Sequence, residues 1–101
     1  MRQVSWQKKK VNPETIILRS VRDYLCRIKG WDVTRIQQGP FSEPGIPDLF
    51  IMRDGKSAWV EIKTASGKLS DNQEYFKRRC ELQKIDFFVI HSIDEAMRIF
   101  L

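Results

Sequence analysis

Pro47-Asp48-Leu49-Phe50-Ile51-Met52, then Arg53-Asp54-Gly55-Lys56, then Ser57-Ala58-Trp59-Val60-Glu61-Ile62-Lys63: this run decides the fold. Its first and last parts read as strands, rich in β-branched and aromatic residues. Asp-Gly between them is a favoured centre for a two-residue hairpin turn, in which both central positions need positive φ. If Asp54 and Gly55 form the turn, Arg53 faces Lys56. Counting back from there, Phe50 faces Trp59 and Asp48 faces Glu61. Strand alternation puts Trp59, Glu61 and Lys63 on one face, with Phe50 and Asp48 on the same face of the partner strand. Opposed Cβ atoms lie roughly 4.5–5.5 Å apart, where two like charges destabilise the pairing. A bound divalent cation would account for two carboxylates placed across the ladder. An exposed hairpin face with an ordinary Glu-Lys pair is the plainer reading, but Trp59 and Phe50 beside the carboxylates imply partial burial.

Upstream, Asn12-Pro13 starts a helix: Asn suits the N-cap, and Pro at the first helical position gives up a donor that would have no partner. Ile16, Ile17, Val21, Tyr24, Leu25 and Ile28 recur at helical spacing, and Gly30 closes the helix. Trp31–Ile36 reads as a short strand. Residues 37–46 hold two of the chain's four prolines and form a loop that leads straight into Pro47-Asp48, so it rims whatever site Asp48 serves. Downstream, Thr64–Leu69 is a loop. Ser70 opens a helix that runs to about Lys84, with Ser70 and Gln73 matching the S-x-x-Q capping box. It presents Phe76, Cys80, Leu69 and Leu82 inward and Lys77, Arg78 and Arg79 outward. Asp86–Ile90 is a buried strand by its apolar run. Ser92 and Glu95 form a second capping box before a short helix whose apolar side carries Ile93, Ala96, Met97 and Phe100. The order is α-β-β-β-α-β-α, an α/β domain with a mixed sheet flanked by helices.

The chain has 101 residues, a net charge of +5 and 42% hydrophobic residues. That suits one globular domain over 12–101, preceded by a basic flexible arm over 1–11 that carries Lys8, Lys9 and Lys10. The arm reads either as a solvated tail or as a backbone-phosphate contact. The positive balance favours a polyanionic partner without choosing between nucleic acid and an anionic membrane surface. No apolar run approaches the roughly 20 residues of a membrane span, and the lysine-rich start lacks a signal-peptide core. Cys26 and Cys80 have no metal-finger spacing, which suggests reduced thiols and a cytoplasmic or otherwise intracellular setting, a bacterial or phage-infected cell included.

Asp48, Glu61 and Lys63 carry the chemistry. Two carboxylates at this spacing, with backbone and water oxygens, suit Mg²⁺ or Mn²⁺. The Ile62 carbonyl at the strand's end can turn toward such an ion. A metal so held polarises a phosphoryl oxygen and lowers the pKa of an attacking water, and Lys63 can steady the charge that builds on the phosphate.

Gly45, Pro47, Asp48, Glu61, Ile62 and Lys63 resemble the PD-(D/E)xK nuclease signature, here Pro-Asp, twelve intervening residues, then Glu-Ile-Lys. The short chain, Glu14 in the opening helix, the Gly-Ile-Pro-Asp-Leu form of the first motif and Gln73 in the following helix are similar to the VRR-NUC (virus-type replication-repair nuclease) branch. The likeness runs from about Asn12 to Phe100. It implies a restriction-endonuclease-like core, Mg²⁺- or Mn²⁺-dependent cleavage of DNA, and, in stand-alone members, homodimers acting on four-way junctions.

The resemblance also assigns two further residues. Glu14 matches the family's helix-one glutamate near the metal, although an acid in a helix's first turn is favoured anyway. Gln73 matches a glutamine that orients substrate or water, although the capping box alone would explain it. Glu43 is acidic in a loop that is often more basic in the family. Lys68, Lys77, Arg78 and Arg79 read either as a phosphate-binding rim or as a solvated helix face. Phe41 reads as a base-stacking residue or as a loop anchor, and His91 as structural. The function expected is metal-dependent, structure-selective DNA endonuclease activity, resolving four-way (Holliday) junctions as a homodimer. In it Asp48, Glu61, Ile62 and Glu14 hold the metal, Lys63 stabilises charge and Gln73 orients. A chain this small has little room for a sequence-reading module, which favours recognition of DNA structure. The rival readings are a non-catalytic nucleic-acid binder and a nuclease subunit that needs a partner protein.

Overall fold

The computed structural model describes residues 11–101; Lys8, Lys9, Lys10 and the rest of the arm apart from Val11 lie outside them. Helix α1 (Pro13–Asp23) runs into a widened turn (Tyr24–Ile28). Then come β1 (Asp32–Arg35), β2 (Leu49–Arg53), β3 (Lys56–Ile62), α2 (Asp71–Leu82), β4 (Asp86–Ile90) and α3 (Ile93–Ile99). The element order is the expected one. The strands lie in one sheet in the order β1-β2-β3-β4, with β1–β2 and β2–β3 antiparallel and β3–β4 parallel across the α2 crossover, so the sheet is mixed.

The hairpin has the register that its turn dictates. Asp54 and Gly55 have φ of 49° and 77°, Arg53 pairs with Lys56, and Phe50 pairs with Trp59. A Cβ added at Gly55 would meet nothing within 4 Å, so Gly55→Ala carries backbone strain alone. It is expected to cost about 1 kcal/mol in a urea titration; a loss several times larger would mean that the turn packs against something. The β2–β3 ladder ends at Leu49–Val60, two residues short of the strand start expected at Pro47. Pro47 has no N–H to offer, and the Ile62 N–H donates to the Asp48 carboxylate (2.8 Å) instead of continuing the ladder.

One sheet face carries Leu49, Ile51, Ala58, Val60, Ile62 and Ile90, packed on Leu18, Val21 and Leu25 of the first helix and on Ala96 and Phe100. Two residues of the expected α1 stripe are not in this core. Ile16 and Ile28 are exposed, and Leu18 is buried in their place. The Lys29 N–H reaches back five residues to the Tyr24 carbonyl (3.1 Å), so the last turn is of π type and each residue advances less around the axis. Ile28 therefore stops short of the core side. On the opposite face Phe50, Trp59, Phe76 and Phe87 form a chain of rings with neighbouring centroids 4.7, 5.3 and 6.4 Å apart, which fixes α2 over the hairpin. Leu82 and Met97, expected inward, are exposed. In β4 only Ile90 is fully buried, because this strand is an edge; Phe87 faces α2, and Phe88 meets Phe100 at 5.1 Å. Among the described residues no helix is long and apolar enough to cross a membrane.

Candidate metal centre

Asp48, just before β2, and Glu61, near the end of β3, lie just past the last β2–β3 pair, so the expected pairing of the two is not a rung of the ladder. Asp48 is held through both carboxylate oxygens. Oδ2 accepts the Ile62 N–H, and Oδ1 accepts from Gln38 Nε2 (3.4 Å), whose other bond is to the Ile46 carbonyl (3.1 Å). Glu14 arrives from the first turn of α1, where the Asn12 side chain caps its N–H at 2.9 Å and Pro13 occupies the first helical position. One carboxylate oxygen from each of Glu14, Asp48 and Glu61 lies within 4.8 Å of the others. Glu14 thus meets both of its readings, since it stands at a helix N-terminus and also in the acidic cluster.

Glu61 is 1% exposed, the one charged residue among the fully buried ones described. Its Oε2 has partners: Gln73 Nε2 donates at 3.1 Å, and Lys63 Nζ lies 3.8 Å away. Its Oε1 is buried with none. Burial, then the neighbouring Asp48 charge, push the Glu61 carboxyl up from 4.5 to about 8; the Lys63 ammonium pulls the other way, while the Glu14 charge adds to the rise. A bare buried carboxylate oxygen facing two other carboxylates is a costly arrangement for folding. It is what a divalent cation would repay. All the donors are hard oxygens, and their spread matches about twice the 2.0–2.6 Å bonds of Mg²⁺ or Ca²⁺. The residues fit such an ion.

Gln73 forms the capping box and also touches Glu61. Its Oε1 accepts the Ser70 N–H (2.8 Å) and its N–H donates to Ser70 Oγ (3.2 Å), which completes the capping box. The same amide's Nε2 then points at Glu61. The capping box thereby sets the rotamer that leaves Glu61 Oε1 free. Ile62 contributes its N–H to Asp48, while its side chain is buried in the core on the far face, so only its carbonyl is available to a ligand.

The expected basic residues are not gathered at this cluster. Lys68 is exposed in the loop before α2, and Lys77 and Arg78 line a shallow groove on α2 between Glu74 and Glu81, a face of alternating charge. Arg79 is not free for phosphate. It pairs with Glu43 and lies over the Tyr75 and Phe76 rings, 5.8 and 5.4 Å from their centroids. Glu43 raises the Arg79 pKa further. The acid in the loop is therefore a tether to α2. His91 Nδ1 is 3.2 Å from both oxygens of Glu95, which takes Glu95 out of the second capping box and leaves only its Ser92 half. Phe41 is 99% exposed and anchors nothing. Gln38 was missed by the sequence reading: a glutamine in an irregular loop has no spacing that would point it at Asp48.

A family model described as the VRR-NUC domain matches residues 2–94. A solved structure described as a VRR_NUC domain superposes with a TM-score of 0.73 at 20% identity, over 85% of this chain and 91% of that one, a likeness that extends to the fold. No curated protein matches the chain significantly.

Proposed function

Because the chain belongs to the VRR-NUC family, a nuclease-type family, we propose that it is a metal-dependent endonuclease that hydrolyses phosphodiesters in branched DNA as a homodimer. The observation that carries this reading is the unpartnered buried Oε1 of Glu61 beside Asp48 and Glu14. Asp48, Glu61, Glu14 and the Ile62 carbonyl would hold Mg²⁺ or Mn²⁺. A cation there supplies charge to a phosphoryl oxygen and acidity to a water molecule.

The protein's own part is positional. Asp48 is locked by Ile62 and Gln38, and Glu61 by Gln73, so neither carboxylate has to reorganise when substrate arrives. Lys63 stands beside Glu61 on a side chain that is 15% exposed. Its ammonium, anchored there, is directed to the negative charge that grows on the attacked phosphate. Lys68, Lys77 and Arg78, on the loop before α2 and on α2 itself, would meet the phosphate backbone away from the carboxylate cluster, and backbone contacts carry no sequence information. Selection by DNA shape follows from that. Two symmetric cuts across a four-way junction require two sites, which a two-fold dimer provides.

The test uses a labelled four-way junction and a matched linear duplex in Mg²⁺, Mn²⁺ and chelator, with Asp48→Asn alongside. Paired, metal-dependent nicks in the junction alone are expected, reduced on the order of 1,000-fold in the variant. Tight junction binding with no cleavage in either metal would instead favour a binder or a subunit that awaits a partner.

A further inference from the structure

We propose that Phe41 is the residue by which the site discriminates branched from continuous DNA, stacking on a nucleobase face left unstacked next to the cut. The inference rests on the nuclease reading for its substrate, and on the loop for its geometry. Single exposed hydrophobic residues are common and mean little by themselves. Phe41 differs in the platform that holds it. Its ring is 99% exposed, while the loop beneath is fastened at every turn. The Gly39 N–H donates to Ser42 Oγ (2.7 Å), the Ser42 N–H returns to the Gly39 carbonyl (3.0 Å), and Ser42 Oγ donates to the Gln37 carbonyl (3.3 Å). Gln38 ties the start of the loop to Ile46 and Asp48, and Glu43 ties its far side to Arg79 on α2. Pro40 and Pro44 further limit how the backbone can bend. These ties hold the backbone on both sides of Phe41, whose ring itself packs on nothing.

Position and chemistry then select the ligand. Gln38 touches a carboxylate of the metal centre, and Phe41 follows three residues later, so at most about 11 Å of chain separates the two. With the Gln38 side chain at one end and the Phe41 ring at the other added to that span, the ring sits on the rim of the site, in reach of bases a few nucleotides from the phosphate there. Residues 37–46 contain no Lys or Arg, and their one acid is paired. The loop therefore offers DNA little for its phosphates and one strong feature for its bases, a bare π face. Every base can stack on it, but only where the base has already left its own stack, as at a branch, a flap or a frayed end.

The experiment measures binding in chelator, so that it does not depend on cleavage. A junction carrying 2-aminopurine at the branch point, where a base face loses its stacking neighbour, is titrated with wild type, Phe41→Ala and Phe41→Trp, beside a matched continuous duplex. Expected are quenching by wild type, on the order of 10-fold weaker junction binding with loss of quenching in Phe41→Ala, duplex affinity unchanged within about twofold, and recovery of both signals in Phe41→Trp. Melting midpoints of the three proteins should coincide, because the ring packs on nothing. Quenching that persists in Phe41→Ala, or equal losses on junction and duplex, would overturn the proposal while leaving the nuclease reading intact. So would a loss that tracks only self-association, which would assign the ring to a second copy of the chain. Phe41-dependent quenching by a wild-type protein that cleaves nothing would support the stacking role and sink the nuclease reading.

Discussion

Glu61→Gln is expected to abolish metal-dependent cleavage and, in the same molecule, to stabilise the metal-free fold at alkaline pH. The first effect follows from the loss of a ligand charge at the centre of the site and should be on the order of 1,000-fold or more in rate. The second follows from burial. In the unfolded chain Glu61 titrates near 4.5; in the fold, its burial and then the Asp48 carboxylate hold it at about 8. Between those values the folded protein keeps a proton that the unfolded chain has lost. The stability of metal-free wild type is therefore full below about pH 4.5, falls as pH rises toward 8, and reaches its floor above that. The slope approaches about 1.4 kcal/mol per pH unit, a few kcal/mol in all. A glutamine at 61 keeps the shape, lets its amide oxygen accept from Gln73, and never charges. Urea titrations of both proteins with chelator at pH 5.5, 7 and 8.5 should give stability differences that grow with pH in favour of the variant. Addition of Mn²⁺ should reverse the order, since only wild type gains from it. Parallel pH profiles for the two proteins would show that Glu61 is ionised in the fold and that the cost inferred from its orphaned oxygen is not there.

The legible parts of this protein are those in which a short segment determines its own geometry. Asp54-Gly55 sets its turn from two residues, and the turn sets the register, so the facing of Phe50 on Trp59 could be counted before any coordinates. Asn12-Pro13 and Ser70-x-x-Gln73 cap their helices with side chains two or three residues away, and both caps form as the spacing implies. What escaped has one of two causes. The π turn at Tyr24–Ile28 has no residue signature, yet it rotates Ile28 out of the core that a regular helix would have given it. The loop over 37–46 escaped because its contacts are long-range. Gln38 meets Asp48 ten residues away, and Glu43 meets Arg79 across 36. The acidity of Glu43 counts against DNA contact only until its partner is known. The carboxylate cluster was readable to the extent that it is built on the hairpin; Glu14 joins it through the packing of a distant helix, for which the sequence alone offered two explanations.

Gly45→Ala is expected to be the most damaging single-methyl change in the chain, costing about 3 kcal/mol in a urea titration, against about 1 kcal/mol for Gly55→Ala. Both glycines hold positive φ, 80° at Gly45 and 77° at Gly55, so backbone strain is common to the pair. The difference lies in what a Cβ would meet. At Gly55 there is open space. At Gly45 the added carbon would overlap the Asn72 carbonyl and come within 2.8 Å of the Gln73 amide nitrogen. Those atoms are backbone in the first turn of α2, held by the Ser70–Gln73 capping box, and no rotamer change can move them aside. Either the loop lifts away from α2, which strains the Glu43–Arg79 tether and the Gln38 contact to Asp48, or the turn shifts and carries Gln73 off Glu61. Both routes disturb one of the proposed metal ligands. Cleavage by Gly45→Ala should therefore fall by more than its unfolded fraction explains, when assayed at a temperature where circular dichroism finds wild type and both glycine variants folded. Gly55→Ala should keep its activity in that assay. If the two variants lost equal stability and equal activity, the close approach of the loop to α2 would have no energetic weight, and Gln38 and Gln73 would have to be held against Asp48 and Glu61 by something other than this contact.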